Sequence, residues 1–164
     1  MSVFPEKAAA GILPIFQNKV YLIKSSSKKP QDFGGKLSFL EARALISRTN
    51  ASDKEKIKYD AACRKSLEEG GFGKESIVEV IRTFNNPTCK YTMFLCKLNK
   101  KPVPTKRGTV IIEKCLGTPW NATDNFHFRV ASTPGLCRFL ANYGVGPEVV
   151  VRTFTPEELN FLDA

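Results

Sequence analysis

Helices interspersed among strand-like runs make this chain a single α/β or α+β domain. Short β-prone runs stand on both sides of a long central helical stretch, and no internal repeat or low-complexity tract interrupts them. The size agrees. With 164 residues, 42% of them hydrophobic and 25% charged, the sequence suits one globular domain with a sizeable core.

Taken in order, Ala8 to Phe16 and Val20 to Lys24 are apolar and β-prone, separated by Gln17-Asn18-Lys19. They predict a hairpin or two neighbouring strands. Ser25 to Asp32 is polar, contains a proline and predicts a loop running into Phe33-Gly34-Gly35-Lys36. A helix is predicted from Phe39 to about Ser47, followed by a polar break from Thr49 to Asp53. Ser52 or Asp53 is a suitable N-cap for a second helix ending at Glu69, where Gly70-Gly71 supplies the stop. On that helix Ile57, Ala61, Arg64 and Glu68 share one face, with Ala62, Ser66 and Glu69 alongside.

Strands are predicted over Ile77 to Phe84, Tyr91 to Leu98 and Thr109 to Lys114, the last two joined by the basic, proline-bearing stretch from Asn99 to Gly108. Residues 115 to 132 read as irregular. Ser132 or Thr133 caps a predicted short helix through Leu140, and Val149 to Phe154 reads as a β-branched strand. Thr155-Pro156-Glu157-Glu158-Leu159 then opens a final helix.

Lys plus Arg number 25 against 16 Asp plus Glu, a formal charge of +9. That excess suits polyanionic partners: phosphorylated metabolites, nucleic acid or an acidic membrane face. No apolar run approaches the roughly 20 residues of a membrane span. The first residues carry no basic stretch before their short apolar segment, so no secretory signal is expected, and the predicted location is cytoplasmic. The five cysteines, at 63, 89, 96, 115 and 137, form no CxxC pair, and the chain has a single histidine. Zinc therefore has few ligands to choose from, and the cysteines read as reduced thiols in or near the core. The N-x-S/T triplets at Asn50 and Asn121 then carry no glycan.

The chemistry concentrates between Gly34 and Phe72. Adjacent glutamates on the last turn of a helix, beside glycines, present hard oxygen ligands suited to Mg²⁺ or Mn²⁺. Acids at that end oppose the helix dipole, a penalty of roughly a few tenths of a kcal/mol that a function can explain.

This stretch resembles the Nudix box, G-x5-E-x7-R-E-U-x-E-E-x-G-U with U apolar, the signature of hydrolases that cleave nucleoside diphosphates linked to another group. Gly35 is followed after five residues by Glu41, and Arg64, Glu68, Glu69, Gly71 and Phe72 keep the internal spacing of the second half. The resemblance implies a Nudix-like α/β/α sandwich with a mixed β-sheet, one domain over 1–164. It is interrupted in one place. Twenty-two residues separate Glu41 from Arg64 where the pattern has seven, an insertion of 15 within 42–63.

Carried over by position, the resemblance implies that Gly34 offers its carbonyl to the metal and that Glu68 and Glu69 bind Mg²⁺ or Mn²⁺. Arg64 would orient a glutamate, and Glu41 would support the box from behind. Glu148 is the candidate for a further metal-binding acid supplied from a distant loop. Lys36 and Lys65 are candidates for contacting substrate phosphates.

One position departs from the pattern. Lys65 stands where the family has a glutamate, and it is expected to pair with Glu69 at i, i+4. A replacement acid is sought at Asp60, Glu113 or Glu148, and Ser66 at an apolar box position is a milder change. The expected function is metal-dependent hydrolysis of a nucleoside-diphosphate-type pyrophosphate bond. Two alternatives stand beside it: mRNA decapping, and a catalytically inactive Nudix-fold binding or scaffold protein. The expected partner is a phosphorylated small molecule or nucleotide, with RNA as a second class and no membrane. Basic groups at Lys19, Lys24, Lys28, Lys29, Lys36, Lys100, Lys101, Lys106 and Arg107 can collect phosphates. Trp120, Tyr91, Phe126 and Phe128 are candidates for stacking a base or packing a core, and His127 is a candidate catalytic base. Oligomeric state is left open.

Overall fold

The computed structural model describes residues 8–25, 29–86, 90–116 and 140. Its sheet is arranged around β1, Ala9–Phe16, whose residues alternate between two apolar faces. One edge of β1 runs parallel to β5, Tyr91–Leu98. The other edge is shared. Its C-terminal end turns back into β2, Lys19–Ser25, and its N-terminal half pairs antiparallel with β3, Phe33–Lys36.

The predicted hairpin is present. Gln17 and Asn18 form its two-residue turn, both with positive φ (48° and 66°), as the right-handed twist of the flanking strands demands. β4, Ile77–Asn86, lies antiparallel to β5, and β6, Thr109–Cys115, lies antiparallel to β2. The result is a mixed six-stranded sheet in the order β4-β5-β1-β2-β6, with β3 beside β1.

Helix α1, Phe39–Ile46, leads through a short connection into α2, Ala51–Gly70. At 20 residues α2 is about 30 Å long, and its last turns lie across β1 and β3. The buried stripe is made of small residues: Ala61, Ala62, Cys63, Ser66 and Gly70. Small side chains bring the helix close to the sheet, where it covers Ala10, Ile12, Phe33, Phe94 and Cys96. Phe33 meets Phe72 edge-on at 5.2 Å, and Tyr59 meets Phe94 in the same manner at 5.3 Å. Of these, Phe33, Phe72 and Phe94 are fully buried, and each such ring contributes about 1.5–3 kcal/mol. On the opposite face Leu13, Ile15, Leu22, Phe84, Met93 and Leu95 form a second cluster joined by Leu140. The remainder of any helical layer on that side lies outside the described residues.

Two expectations need correction. The N-cap of α2 is Asn50 and not Ser52 or Asp53. Its Oδ1 accepts from the Ser52 and Asp53 amides at 2.7 and 3.3 Å, so those two residues are the ones being capped. Asp32, read as part of a polar loop, is fully buried. Cys63 and Cys96 are buried free thiols, and burial pushes both above the ordinary thiol range; Cys115 is exposed. No described helix is long and apolar enough to cross a membrane. Cys89, Trp120, Phe126, His127, Phe128, Cys137, Glu148 and the strand and helix expected after residue 140 lie outside the described residues.

Candidate functional site

The site begins at the start of α1. Ser38 and Glu41 form a reciprocal capping box. The Ser38 amide donates to Glu41 Oε1 at 2.7 Å, and the Glu41 amide donates to Ser38 Oγ at 3.2 Å. The same carboxylate receives a two-pronged contact from Arg64 on α2, with Nε 2.9 Å from Oε2 and Nη2 2.8 Å from Oε1. The third prong of that guanidinium, Nη1, donates to Glu68 Oε1 at 2.9 Å. Arg64 therefore bridges Glu41 and Glu68, closing the gap that the inserted residues open in the sequence. Its hydrogen bonds to Glu41 hold the Glu41 carboxyl below the ordinary carboxylate range against the opposing effect of burial. They also raise Arg64 itself.

Lys65 lies on the neighbouring face. Its ammonium is 3.7 Å from Glu68 Oε2, so the pair forms at i, i+3 and not with Glu69 as the sequence suggested. The side chain crosses over Gly35, where an added Cβ would lie 2.6 Å from Lys65 Cε. Glu69 turns the other way, toward β3, and takes a backbone hydrogen bond from Gly34.

The two glutamates consequently differ. Burial alone would raise Glu68, but the Arg64 hydrogen bond and the charges of Arg64, Lys65 and Lys106 outweigh it and hold the carboxyl low. In Glu69 burial wins. Its carboxyl is raised despite Lys65, Lys106 and the Gly34 hydrogen bond, and Asp32 adds to the rise. Glu69 Oε1 is buried and has no hydrogen-bond partner among the described residues.

The helix end that carries these acids is capped from the connection between β5 and β6. Thr105 Oγ1 donates to the Glu68 carbonyl, and the Val103 amide donates to the Gly70 carbonyl at 2.9 Å. Gly71, at φ 70°, takes the left-handed C-cap and donates to the Leu67 carbonyl at 3.2 Å. Carbonyls that an isolated helix would leave open are thus satisfied. Docking this loop also brings Lys106 within electrostatic reach of both glutamates. In the sequence Lys106 was only one of several loop lysines. Its contribution arises from the capping contacts, which no spacing rule announces.

The other candidates stand apart from this group. Lys36 is exposed at the end of β3. Asp60 is held by Lys74 at 2.5 Å and Lys56 at 3.6 Å. Glu113, on β6, is held by Lys19 at 2.8 Å and Lys101 at 3.7 Å. Neither acid replaces the glutamate missing at position 65. Ser66 is fully buried, with Oγ 2.9 Å from the carbonyls of both Cys63 and Phe72, which makes a polar residue acceptable at an apolar box position. Tyr91 is a core residue whose hydroxyl donates to the Asp32 carboxylate.

Among the described residues no three His, Cys, Asp or Glu side chains converge closely enough to hold a metal by themselves. The donors nevertheless fit Mg²⁺ or Mn²⁺. Such ions are commonly held by one or two carboxylates and complete their shell with water and substrate phosphate. A buried carboxylate oxygen without a partner among the described residues is a donor of that kind.

Comparison with solved structures identifies the architecture. A Nudix hydrolase from Nitrosomonas europaea superposes with a TM-score of 0.53 at 21% identity, covering 87% of this chain and 74% of that one. The chain has the Nudix fold. A MutT structure from work on Aliivibrio salmonicida and Vibrio cholerae agrees at a TM-score of 0.50 and 14% identity, over 82% of this chain and 95% of that one. No protein-family model matches the sequence. A search of curated proteins likewise finds no match. The acidic end of α2 lies against β3, where Lys65 crosses Gly35 and Glu69 takes the Gly34 hydrogen bond, and Lys106 comes within electrostatic reach of both glutamates. Such a region can bind a divalent ion and a phosphorylated ligand together.

Proposed function

We propose that this protein is a Mg²⁺- or Mn²⁺-dependent hydrolase of a nucleoside-diphosphate-type pyrophosphate bond. The observation that carries the reading is Glu69, a buried carboxylate whose Oε1 has no partner among the described residues. Leaving a buried carboxylate oxygen unpaired costs folding energy unless a cation completes it. Glu69 and Glu68 would hold that ion, with Gly34 in the same first contact and Glu148 as a further candidate ligand. When bound, the ion supplies charge neutralisation of the diphosphate and lowers the pKa of a coordinated water.

The chain's own residues do the rest. Arg64 fixes the Glu68 carboxylate by a 2.9 Å hydrogen bond while Glu41, itself fixed by Ser38, holds Arg64 in place. Lys65 and Lys106 bring positive charge to the same glutamates and are available to phosphate oxygens. Hydrolysis adds one water across the P–O–P bridge and yields two phosphate products.

A second reading is favoured by the Lys65–Glu68 contact of 3.7 Å. An ammonium beside the box carboxylates can replace the divalent cation, which would leave a protein that binds phosphorylated ligands without cleaving them. A phosphate-release screen with Mg²⁺ and Mn²⁺ separates the two. It spans nucleoside triphosphates, nucleotide sugars, dinucleoside polyphosphates, inositol pyrophosphates and capped RNA. Metal-dependent turnover on any of them supports the hydrolase. Saturable binding of a panel member with no turnover supports the binding protein.

A further inference from the structure

Two cavities open between the first turns of α2 and the antiparallel pair of β4 and β5. The strand sequences make them unlike. On the face that α2 covers, alternation along β5 presents Thr92 and then Phe94, and the β4 residues opposite those two are Asn85 and Thr83. The end at Thr92 is polar, and its cavity of about 430 Å³ is also lined by Lys54, Lys58, Thr83 and Asn85. Toward Val80 the strands turn apolar. There a cavity of about 320 Å³ is lined by Tyr59, Val80 and Phe94, together with Ser52 and Lys56. Glu55 lines both cavities. Every helix residue named here falls within 42–63, the span of the insertion, so the Nudix pattern does not account for this groove.

Its polar groups leave donors open to a ligand. Thr92, 2% exposed, donates from Oγ1 to Asn85 Oδ1 at 2.9 Å, which orients the amide and leaves its Nδ2 to donate elsewhere. Glu55 Oε1 accepts from Thr83 Oγ1 at 3.3 Å. Lys54 and Lys58 have no ion pair among the described residues, although they share one helix face. At i, i+4 their Cβ atoms are about 5–6 Å apart, and two like charges so placed repel. An anion held between them removes that repulsion.

The parts of the groove match the parts of a nucleoside phosphate. Two ammonium groups with an amide donor beside them suit the phosphate. A carboxylate between the two cavities disfavours a bare anion but accepts from the hydroxyls of a ribose. The aromatic and aliphatic wall suits a planar base. We propose that this groove is a nucleotide site separate from the acidic end of α2, with the phosphate at Lys54 and Lys58, the ribose at Glu55 and the base against Tyr59, Val80 and Phe94. Lys58 stands about 15 Å along the helix from Glu68, so a nucleotide seated here leaves the glutamates free. The inference does not depend on the cation reading given above.

The test is calorimetric titration of AMP, GMP, CMP and UMP in turn, and of inorganic phosphate, in chelator at pH 7. These nucleotides have no pyrophosphate bond to cleave. At least one is expected to bind the wild-type chain saturably, about tenfold or more tighter than inorganic phosphate. The double variant Lys54→Gln, Lys58→Gln is expected to weaken that nucleotide about tenfold. Glu55→Ala is expected to weaken it about fivefold without weakening inorganic phosphate. Glu69→Gln, at the far end of the helix, is expected to bind it within about twofold of wild type. Should the double variant fail to fold, Lys54→Gln alone, at an exposed position, carries the same test with about a threefold loss. Wild-type affinity in a folded lysine variant overturns the proposal. So does an equal loss in Glu69→Gln, which would put the nucleotide at the acidic end, and so does inorganic phosphate binding as tightly as every nucleotide. A wild-type chain that binds none of the four overturns it outright.

Discussion

Glu69 and Glu113 are both glutamates with lysines nearby, and their surroundings give them opposite characters. Glu113 sits on the open face of β6 between Lys19 and Lys101, with 41% of its side chain exposed. Its hydrogen bond to Lys19 holds the carboxyl low, and both of its oxygens lie near a cation. Glu69 is drawn inward against β3, where burial raises the carboxyl and one oxygen is left without a partner among the described residues. A satisfied surface pair of this kind is worth little to folding. An unsatisfied buried acid is a cost that folding alone does not explain. Burial together with an oxygen that has no partner among the described residues is what singles out Glu69 for the proposed role; the presence of neighbouring lysines does not.

The sharpest way to probe that contrast is Lys65. Replacing it in Lys65→Glu restores a box carboxylate beside Glu68 and removes the 3.7 Å ion pair. The variant is expected to bind Mn²⁺ about tenfold more tightly, near 1.4 kcal/mol, in a direct titration. Unchanged or weaker affinity would show that the lysine had not diminished the site. Arg64→Ala acts on the scaffold that holds the group. It breaks the bridge between Glu41 and Glu68, and because the arginine side chain is 37% exposed the expected loss is about 1 kcal/mol by urea denaturation. A loss of helix α1 contacts without any change in Mn²⁺ affinity would separate the bridge from the site.

A smaller effect concerns pH. Glu69 has its folded pKa raised above its unfolded value, so between the two the native state holds more protons than the unfolded one. Stability therefore falls as pH rises through that interval, and the cost is fully present above it. In chelator, Glu69→Gln is expected to raise Tm at pH 7 by about 2 °C, an advantage that disappears below about pH 4. Thermal melts across pH 4 to 8 read this directly. A lower Tm for the variant at pH 7 would show that the carboxylate is satisfied after all.

Much of the fold was legible. The apolar, β-prone runs Ala8 to Phe16 and Val20 to Lys24, which form β1 and β2, and the stop at Gly70-Gly71 were each set by local chemistry. Arg64 and Glu68 were legible as neighbours from spacing, an i, i+4 step on a helix, whereas Glu41 joined them only through the resemblance, and the inserted residues hid how it reaches Arg64. What escaped depended on contacts across the sheet or between loops. Asp32 closes a polar run whose lack of period gives no clue to burial, and its partner lies 59 residues away. Lys106 reaches the glutamates only because Val103 and Thr105 cap the helix. Lys65 had two acidic neighbours within helical reach, and Glu69 was lost to it because β3 claims that side chain.

The most direct measurement is turnover of Glu69→Gln and Glu113→Gln beside the wild-type chain in Mg²⁺, on the substrate that the phosphate-release screen identifies. Glu69→Gln is expected to lose about 100-fold or more in kcat, whereas Glu113→Gln stays within about twofold of wild type. Equal turnover in the two variants would contradict the assignment of Glu69 as the acid on which the reaction depends.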